Sequence, residues 1–100
     1  MNITEINDKN LEETIRSNQK VVLDCYAPWC GPCKMFSPVF EELSHEENGV
    51  KFCKINTDEN PDTAERYEVM SIPTVLIFEN GQLKSRETGF KTKEELKKLI

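Results

Sequence analysis

The sequence lacks any hydrophobic run long enough to cross a membrane, since a membrane-spanning helix needs about 18 consecutive apolar residues. It also lacks an export signal at its start, because residues 1–8 show no basic segment followed by an apolar stretch. We therefore expect a cytosolic protein that has no membrane partner.

Basic residues are in the minority, with 13 lysines and arginines against 18 aspartates and glutamates and a net charge of −5. The lysines are scattered among glutamates, so the chain has no basic stripe that could neutralise a row of phosphates. Nucleic acid is therefore not an expected partner. A zinc site is not expected either, because His45 stands alone and Cys53 has no second ligand at C-x-x-C spacing.

Cysteine is also limited, with four residues at positions 25, 30, 33 and 53. This is too few for a small protein that is held together by disulfides. In a reducing cytosol, cysteines persist as thiols unless they are catalytic, metal-bound or redox-sensing. The composition therefore does not favour a structural disulfide framework.

What the chain does contain is an alternation of strand and helix patterns from end to end, with no repeat or linker. A chain of 100 residues that is 37% hydrophobic can close one core, so we expect one domain over residues 1–100. The predicted order is β-α-β-α-β-α-β-β-α. The strands are predicted at residues 3–6, 20–26, 50–56, 73–79 and 82–88, and the helices at about 7–17, from the C-x-x-C motif onward, at 61–67 and from 92 onward.

Local signals refine these elements. Asn7 is predicted to cap the first helix, and Pro38 to kink the second. The Asn80-Gly81 turn predicts a hairpin, which makes the sheet mixed. Thr92 begins the last helix with Glu95 as its capping-box partner. That helix is expected to bury Leu96, Leu99 and Ile100.

The motif Cys30-Gly31-Pro32-Cys33 follows a buried strand and opens a helix, a context that favours redox chemistry over metal binding. Unpaired N–H groups and the helix dipole would stabilise a Cys30 thiolate at the helix N-terminus. Gly31 permits a tight turn, and Pro32 stiffens the pair without losing a needed donor. Cys33 would lie about one turn below Cys30.

The stretch Trp29-Cys30-Gly31-Pro32-Cys33-Lys34 resembles the active site of the thioredoxin family, and the likeness extends over essentially the whole chain. The resemblance implies an α/β thioredoxin fold, a single-domain mixed five-stranded sheet flanked by four helices. Asp24 matches the family's buried carboxylate under the second cysteine, and Lys54 its lysine partner. Because Asp24 lies in an apolar strand, burial should raise its pKa.

The resemblance also implies a protein-disulfide reductase. Cys30 would attack a client disulfide, Cys33 would resolve the mixed disulfide, and Asp24 would accept the proton of Cys33. Such a protein needs no bound cofactor, would act as a monomer, and would be recharged by a thioredoxin reductase. The residues expected to contact client proteins are Trp29, Ile72, Pro73 with a cis peptide bond, and Gly89.

Two other interpretations remain open at this level. The spacing of Cys25, Cys30 and Cys33, followed by Cys53, imitates the ligands of plant-type ferredoxins and would suit an iron–sulfur cluster. Alternatively, the fold could serve as a binding subunit in which the dithiol is incidental. Cys25 and Cys53 are more simply interpreted as small buried hydrophobes, although a disulfide between them is conceivable if their strands are neighbours.

Overall fold

The computed structural model describes residues 2–100, and across them the elements follow the predicted order. The strands are β1 (Ile3–Glu5), β2 (Lys20–Tyr26), β3 (Lys51–Asn56), β4 (Thr74–Glu79) and β5 (Gln82–Thr88). The helices are α1 (Leu11–Ser17), α2 (Gly31–Glu46), α3 (Pro61–Arg66) and α4 (Lys93–Leu99).

The strands form one mixed sheet in the order β1-β3-β2-β4-β5. Strands β1, β3 and β2 are parallel, whereas β4 pairs antiparallel with both β2 and β5. Strand β2 lies at the centre, and its interior residues are buried on both faces, as its apolar sequence predicts. The predicted mixed five-stranded sheet with four helices is therefore confirmed.

Helices cover both faces of the sheet. On one face, Leu11 and Ile15 of α1 pack against the sheet, together with Tyr67 and Val69 just beyond α3. The opposite face is covered by α2 and α4, with the buried side chains Phe36, Phe40, Leu43 and Leu96. Because helices pack on both faces of the central strands, the sheet is held rigidly, and its carboxyl edge can support a site.

Helix α2 carries the site and is the longest helix in the described part of the chain. Its buried residues Phe36, Phe40 and Leu43 follow the predicted helical spacing, and it continues through Pro38 to Glu46. The expected kink at Pro38 stays a prediction. Between residues 2 and 100, no helix combines the length and apolar character that a membrane span requires.

The predicted start of the first helix was wrong, and the burial expected for the last helix is confirmed only in part. Helix α1 begins at Leu11, and the Asn7 side chain instead accepts hydrogen bonds from the N–H groups of Lys9 and Asn10, at 2.9 and 3.1 Å. Asn7 thus closes a turn before the helix rather than capping it. Helix α4 has the expected capping box and buries Leu96 fully, whereas Leu99 at its end and Ile100 just beyond it are only partly buried against the same cluster.

Candidate active site

The two motif cysteines lie at the N-terminus of α2 and form a disulfide, with their Cα atoms 5.2 Å apart. Cys30 is the N-cap residue, and its Sγ accepts a hydrogen bond from the N–H of Cys33 at 3.2 Å. Gly31 and Pro32 occupy the first two helical positions, where the missing N–H of proline leaves no hydrogen bond unmade. The chain therefore turns sharply and brings the two sulfurs together.

The disulfide faces the loop that precedes β4. The Sγ atom of Cys30 lies 3.8 Å from the carbonyl oxygen of Ile72, and the peptide between Ile72 and Pro73 is cis. The N–H of Gly89 donates to the carbonyl oxygen of Pro73 at 2.8 Å. Gly89 has a φ of 90°, a conformation that favours glycine, so this contact depends on the absence of a side chain there.

An open groove of about 600 Å³ runs along the outer side of Cys30. Its walls come from the motif, from α3 and from the segment before β4, with mainly apolar side chains that include Trp29, Pro32, Pro61, Ala64, Met70 and Ile72. Cys30 borders this groove, whereas Cys33 does not. Pro73 is buried and Gly89 half-buried, and neither lines it.

Trp29 forms an exposed wall of this groove, with 69% of its surface accessible. Its indole N–H donates to a carboxylate oxygen of Asp58 at 2.7 Å, which fixes the orientation of the ring. Met70, also on the groove, is 92% exposed. Neither Asp58 nor Met70 could be found from the sequence, because no motif connects the loop after β3 or the segment before β4 to Trp29.

A second cavity, of about 170 Å³, lies on the inner side of the disulfide. Asp24, Cys33 and Lys54 all line it, together with Tyr26 and Lys34. A cavity of this size can hold more than one water molecule. Asp24 and Cys33 therefore share a space in which water could carry a proton between them.

Asp24 is only 4% exposed, and its Oδ1 has no hydrogen-bond partner within the described chain. Burial raises the pKa of Asp24 to about 7; the positive charge of Lys54 opposes this shift, and the negative charge of Glu5 adds to it. The predicted direction of the pKa shift is thus confirmed. The carboxyl group titrates in the range where a proton acceptor is useful at neutral pH.

Lys54 lies beside Asp24 in the register of β2 and β3, so the expected shared face is observed. Its ammonium nevertheless forms an ion pair with Glu5, at 3.8 Å from Oε1. Glu5 also accepts a hydrogen bond from the hydroxyl of Tyr26. Glu5 could not be found from the sequence, because nothing in the pattern indicates that β1 pairs with β3.

Cys25 and Cys53 lie in the core under α1, and both are fully buried, as expected of small hydrophobes. Their strands are neighbours, but Cys53 stands opposite Leu23 and Cys25 opposite Ile55. The two thiols are therefore diagonal to each other rather than paired, a geometry that does not favour a disulfide. Burial raises the pKa of Cys53 to about 11 and that of Cys25 well above its usual range, which makes both poor nucleophiles.

The ferredoxin-like spacing does not correspond to a cluster of ligands. Cys30 and Cys33 pack together near the helix N-terminus, whereas Cys25 and Cys53 belong to the core of one sheet face. Among residues 2–100, no three cysteine, histidine, aspartate or glutamate side chains are grouped in a way that could hold a metal ion. The geometry thus gives the iron–sulfur interpretation no support.

Comparison with known proteins agrees with this geometry. The family model described as Thioredoxin matches residues 2–100. A thioredoxin from Staphylococcus haemolyticus is 45% identical over 101 aligned residues, covering 100% of this chain and 96% of the relative. A thioredoxin from Mycoplasmoides gallisepticum is 40% identical over 94% of both chains.

Solved structures show the same architecture. A mutant thioredoxin from Halobacterium salinarum NRC-1 superposes with a TM-score of 0.91 at 34% identity, covering 98% of this chain and 87% of that one. The oxidised form of mitochondrial thioredoxin 3 from Saccharomyces cerevisiae gives 0.90 at 38% identity, over 96% and 91% of the two chains. The Cys30–Cys33 disulfide at the start of α2 agrees with these matches. The chain belongs to the thioredoxin family of thiol–disulfide oxidoreductases.

Proposed function

We propose that this protein reduces disulfides in client proteins with Cys30 as the attacking sulfur, Cys33 as the resolving sulfur and Asp24 as the proton acceptor. The observation that carries the proposal is the position of the Cys30–Cys33 bond between two different spaces. Cys30 borders the outer groove, and Cys33 lines the inner cavity with Asp24. A client can therefore reach one sulfur while the base serves the other.

Two local features support Cys30 as the nucleophile. The N–H of Cys33 points at the Sγ of Cys30, and the same donor would stabilise a thiolate there once the disulfide is open. The positive end of the α2 dipole acts in the same direction. Both cysteines are little exposed, so the client must bring its disulfide into the groove rather than meet a freely solvated thiolate.

The reaction exchanges one disulfide for another and moves two electrons. The Cys30 thiolate attacks one client sulfur, the client disulfide breaks, and the departing client thiolate takes a proton from solvent. Cys33 then gives its proton to Asp24 and attacks Sγ of Cys30. The mixed disulfide breaks, the second client thiolate leaves, and the Cys30–Cys33 bond closes. The dithiol supplies both electrons, so the reaction requires no further cofactor on the protein.

The remaining site residues are assigned to substrate binding and positioning. Trp29 and Ile72 line the groove and would contact the client near Cys30. Pro73 and Gly89, joined by a backbone hydrogen bond, would hold the Ile72 loop against the disulfide. The other assigned residues act on the dithiol or on its base, with Gly31 and Pro32 shaping the first turn of α2 and Lys54 moderating the charge of Asp24.

Family membership implies disulfide-containing proteins as substrates and a thioredoxin reductase as the general electron donor. We further propose that residues 1–100 act as one domain, as a monomer and in the cytosol. The single sheet, which runs from β1 near the start to β5 near the end, supports the first of these points. The apolar groove supports the view that clients and reductase contact the same surface.

Replacement of each motif cysteine by serine tests the assignment of roles. Cys30→Ser should abolish insulin reduction coupled to dithiothreitol, because no attacking sulfur remains at the groove. Cys33→Ser should instead accumulate stable mixed disulfides with clients, which can be isolated and identified. Trapping by the Cys30 variant and not by the Cys33 variant would reverse the roles. A binding-subunit function would be indicated instead if a variant lacking both cysteines kept the protein's cellular role.

A further inference from the structure

Three ionisable side chains form a row across neighbouring strands beside the dithiol. The sheet order places β1 next to β3 and β3 next to β2, and the register sets Glu5 opposite Lys54 and Lys54 opposite Asp24. Residues paired in this way point to the same face of a sheet. The row therefore runs negative, positive and ionisable acid, and it goes from half-exposed Glu5 to buried Asp24.

Glu5 is tied into this row by two contacts. The hydroxyl of Tyr26 donates to both carboxylate oxygens of Glu5, at 3.0 and 2.9 Å. The ammonium of Lys54 lies 3.8 Å from Oε1 of Glu5 and 5.6 Å from the centroid of the Tyr26 ring. Lys54 is thus held by two contacts, neither of which involves Asp24.

The position of Lys54 matters because few other charges face Asp24. From α2, Cys33 and Lys34 line the same cavity, and from β4 the residue opposite Asp24 is the apolar Val75. Lys54 is the cation that lowers the pKa of Asp24, and Glu5 is the anion that raises it. A carboxylate that draws Lys54 outward while adding its own negative charge acts twice in the same direction.

We propose that Glu5 is a positioning residue for the resolving step: by holding Lys54 at the outer edge of the inner cavity, it sets the pH range in which Asp24 can accept the Cys33 proton. The proposal rests on the role assigned above to Asp24. It extends the site by one strand, from the dithiol through β2 and β3 to β1. Tyr26 contributes to the same positioning, because its hydroxyl donates a hydrogen bond to the Glu5 carboxylate that holds Lys54.

Glu5→Gln tests this directly, because it removes the negative charge and releases Lys54 toward Asp24. Both changes favour the Asp24 carboxylate, so its titration midpoint should fall by about half a pH unit or more. The midpoint is measured from the carboxyl carbon chemical shift of Asp24 as a function of pH. Glu5→Asp keeps the negative charge, so the Asp24 titration midpoint in this variant should stay close to that of the wild type.

Glu79→Gln is the matched control. Glu79 also pairs with a lysine, Lys20, at 3.6 Å, and the exposure of this pair is similar, with 34% of the Lys20 side chain and 37% of the Glu79 side chain accessible. Lys20 lies at the other end of β2 from Asp24, so this variant should leave the Asp24 midpoint unchanged. The inference is overturned if Glu5→Gln moves the midpoint no further than Glu79→Gln.

The rate at which a mixed disulfide is released gives a second readout. In Glu5→Gln, the acid limb of the plot of release rate against pH should move to lower pH, together with the Asp24 midpoint. In an Asp24→Asn background, Glu5→Gln should cause no such move. If Asp24→Asn alone leaves release unchanged, the proposed function of Asp24 fails, and with it the catalytic meaning of the row. If Asp24→Asn slows release but Glu5→Gln shifts neither measurement, only the role of Glu5 fails.

Discussion

Asp24 and Cys25 are adjacent on β2 and show how strand alternation decides the chemistry of a side chain. Successive residues of a strand point to opposite faces. Asp24 points toward the cavity shared with Cys33, where a raised pKa is useful. Cys25 points into the core beneath α1, where burial keeps its thiol protonated and inert. A shift of one residue in register would exchange these two environments.

Asp24→Asn should stabilise the protein at pH 8. The folded-state pKa of about 7 exceeds the ordinary value of 3.8, so folding takes up a proton between these values, and stability falls as pH rises through that window. Above pH 7 the buried Asp24 carboxylate lowers the free energy of unfolding by roughly 1.4 kcal/mol for each unit by which its pKa is raised. Asp24→Asn removes this penalty, but burial of the new amide group offsets part of the gain in stability. We expect the variant to gain about 2–4 kcal/mol at pH 8 and almost nothing below about pH 4.

Denaturant midpoints measured at several pH values check this expectation. Asp62→Asn is a suitable control, because that carboxylate is exposed to water and favours the fold only through its place in the first turn of α3, so the variant should lose at most about 1 kcal/mol and gain nothing at pH 8. An Asp24→Asn variant that was less stable than the wild type at pH 8 would show that the buried carboxylate stabilises the fold instead of straining it.

At the scale of elements, α3 illustrates how a short helix is held in place. It has only six residues, too few to be stable alone. Asp8, in the loop between β1 and α1, accepts hydrogen bonds from the N–H groups of Asp62 and Thr63 and from the Thr63 hydroxyl. The N–H of Asp8 in turn donates to the side chain of Asn60. A distant loop thus caps the helix that forms one wall of the groove beside Cys30.

Asp8→Ala should therefore destabilise the protein by about 1–2 kcal/mol, the usual effect of removing an N-terminal cap. It should also weaken client binding, because Pro61 and Ala64 lose part of their support. Asp8→Asn keeps an acceptor oxygen and should lose much less. Denaturant midpoints and the Michaelis constant for insulin measure the two effects. Equal losses in the alanine and asparagine variants would show that charge, rather than capping, is the important property.

At the scale of the whole molecule, the fold is largely independent of the disulfide. The bond joins residues three apart, whereas the two large core clusters join distant strands to the helices that cover them. Different helices cover the two faces of the sheet, so neither core cluster depends on the Cys30–Cys33 disulfide. A carrier that alternates between oxidised and reduced states requires this independence.

Reduction of the Cys30–Cys33 disulfide should therefore lower the free energy of unfolding by no more than about 2 kcal/mol, because so short a loop restricts the unfolded chain only a little. The oxidised and reduced proteins should give the same far-ultraviolet circular dichroism spectrum, and their denaturant midpoints should differ modestly. The Cys30→Ser variant, measured with and without reductant, is the control and should show no difference. Loss of cooperative unfolding on reduction would contradict the expected independence.

Much of this protein follows from local sequence patterns. The central strand, the helix after the C-x-x-C motif and the capping box of Thr92 and Glu95 each depend on residues close together in the chain, where periodicity and backbone preferences act. The redox motif is equally local. Errors arose at helix ends, because propensity cannot settle whether Asn7 caps a helix or closes a turn before it.

Contacts between distant segments were decided only by the tertiary structure. No sequence pattern states that β1 pairs with β3, yet this pairing builds the row from Glu5 through Lys54 to Asp24. The same holds for the bond between Trp29 and Asp58. Register and strand order depend on how whole faces pack together, and a polar side chain acquires its partner, its burial and its pKa only when that packing is complete.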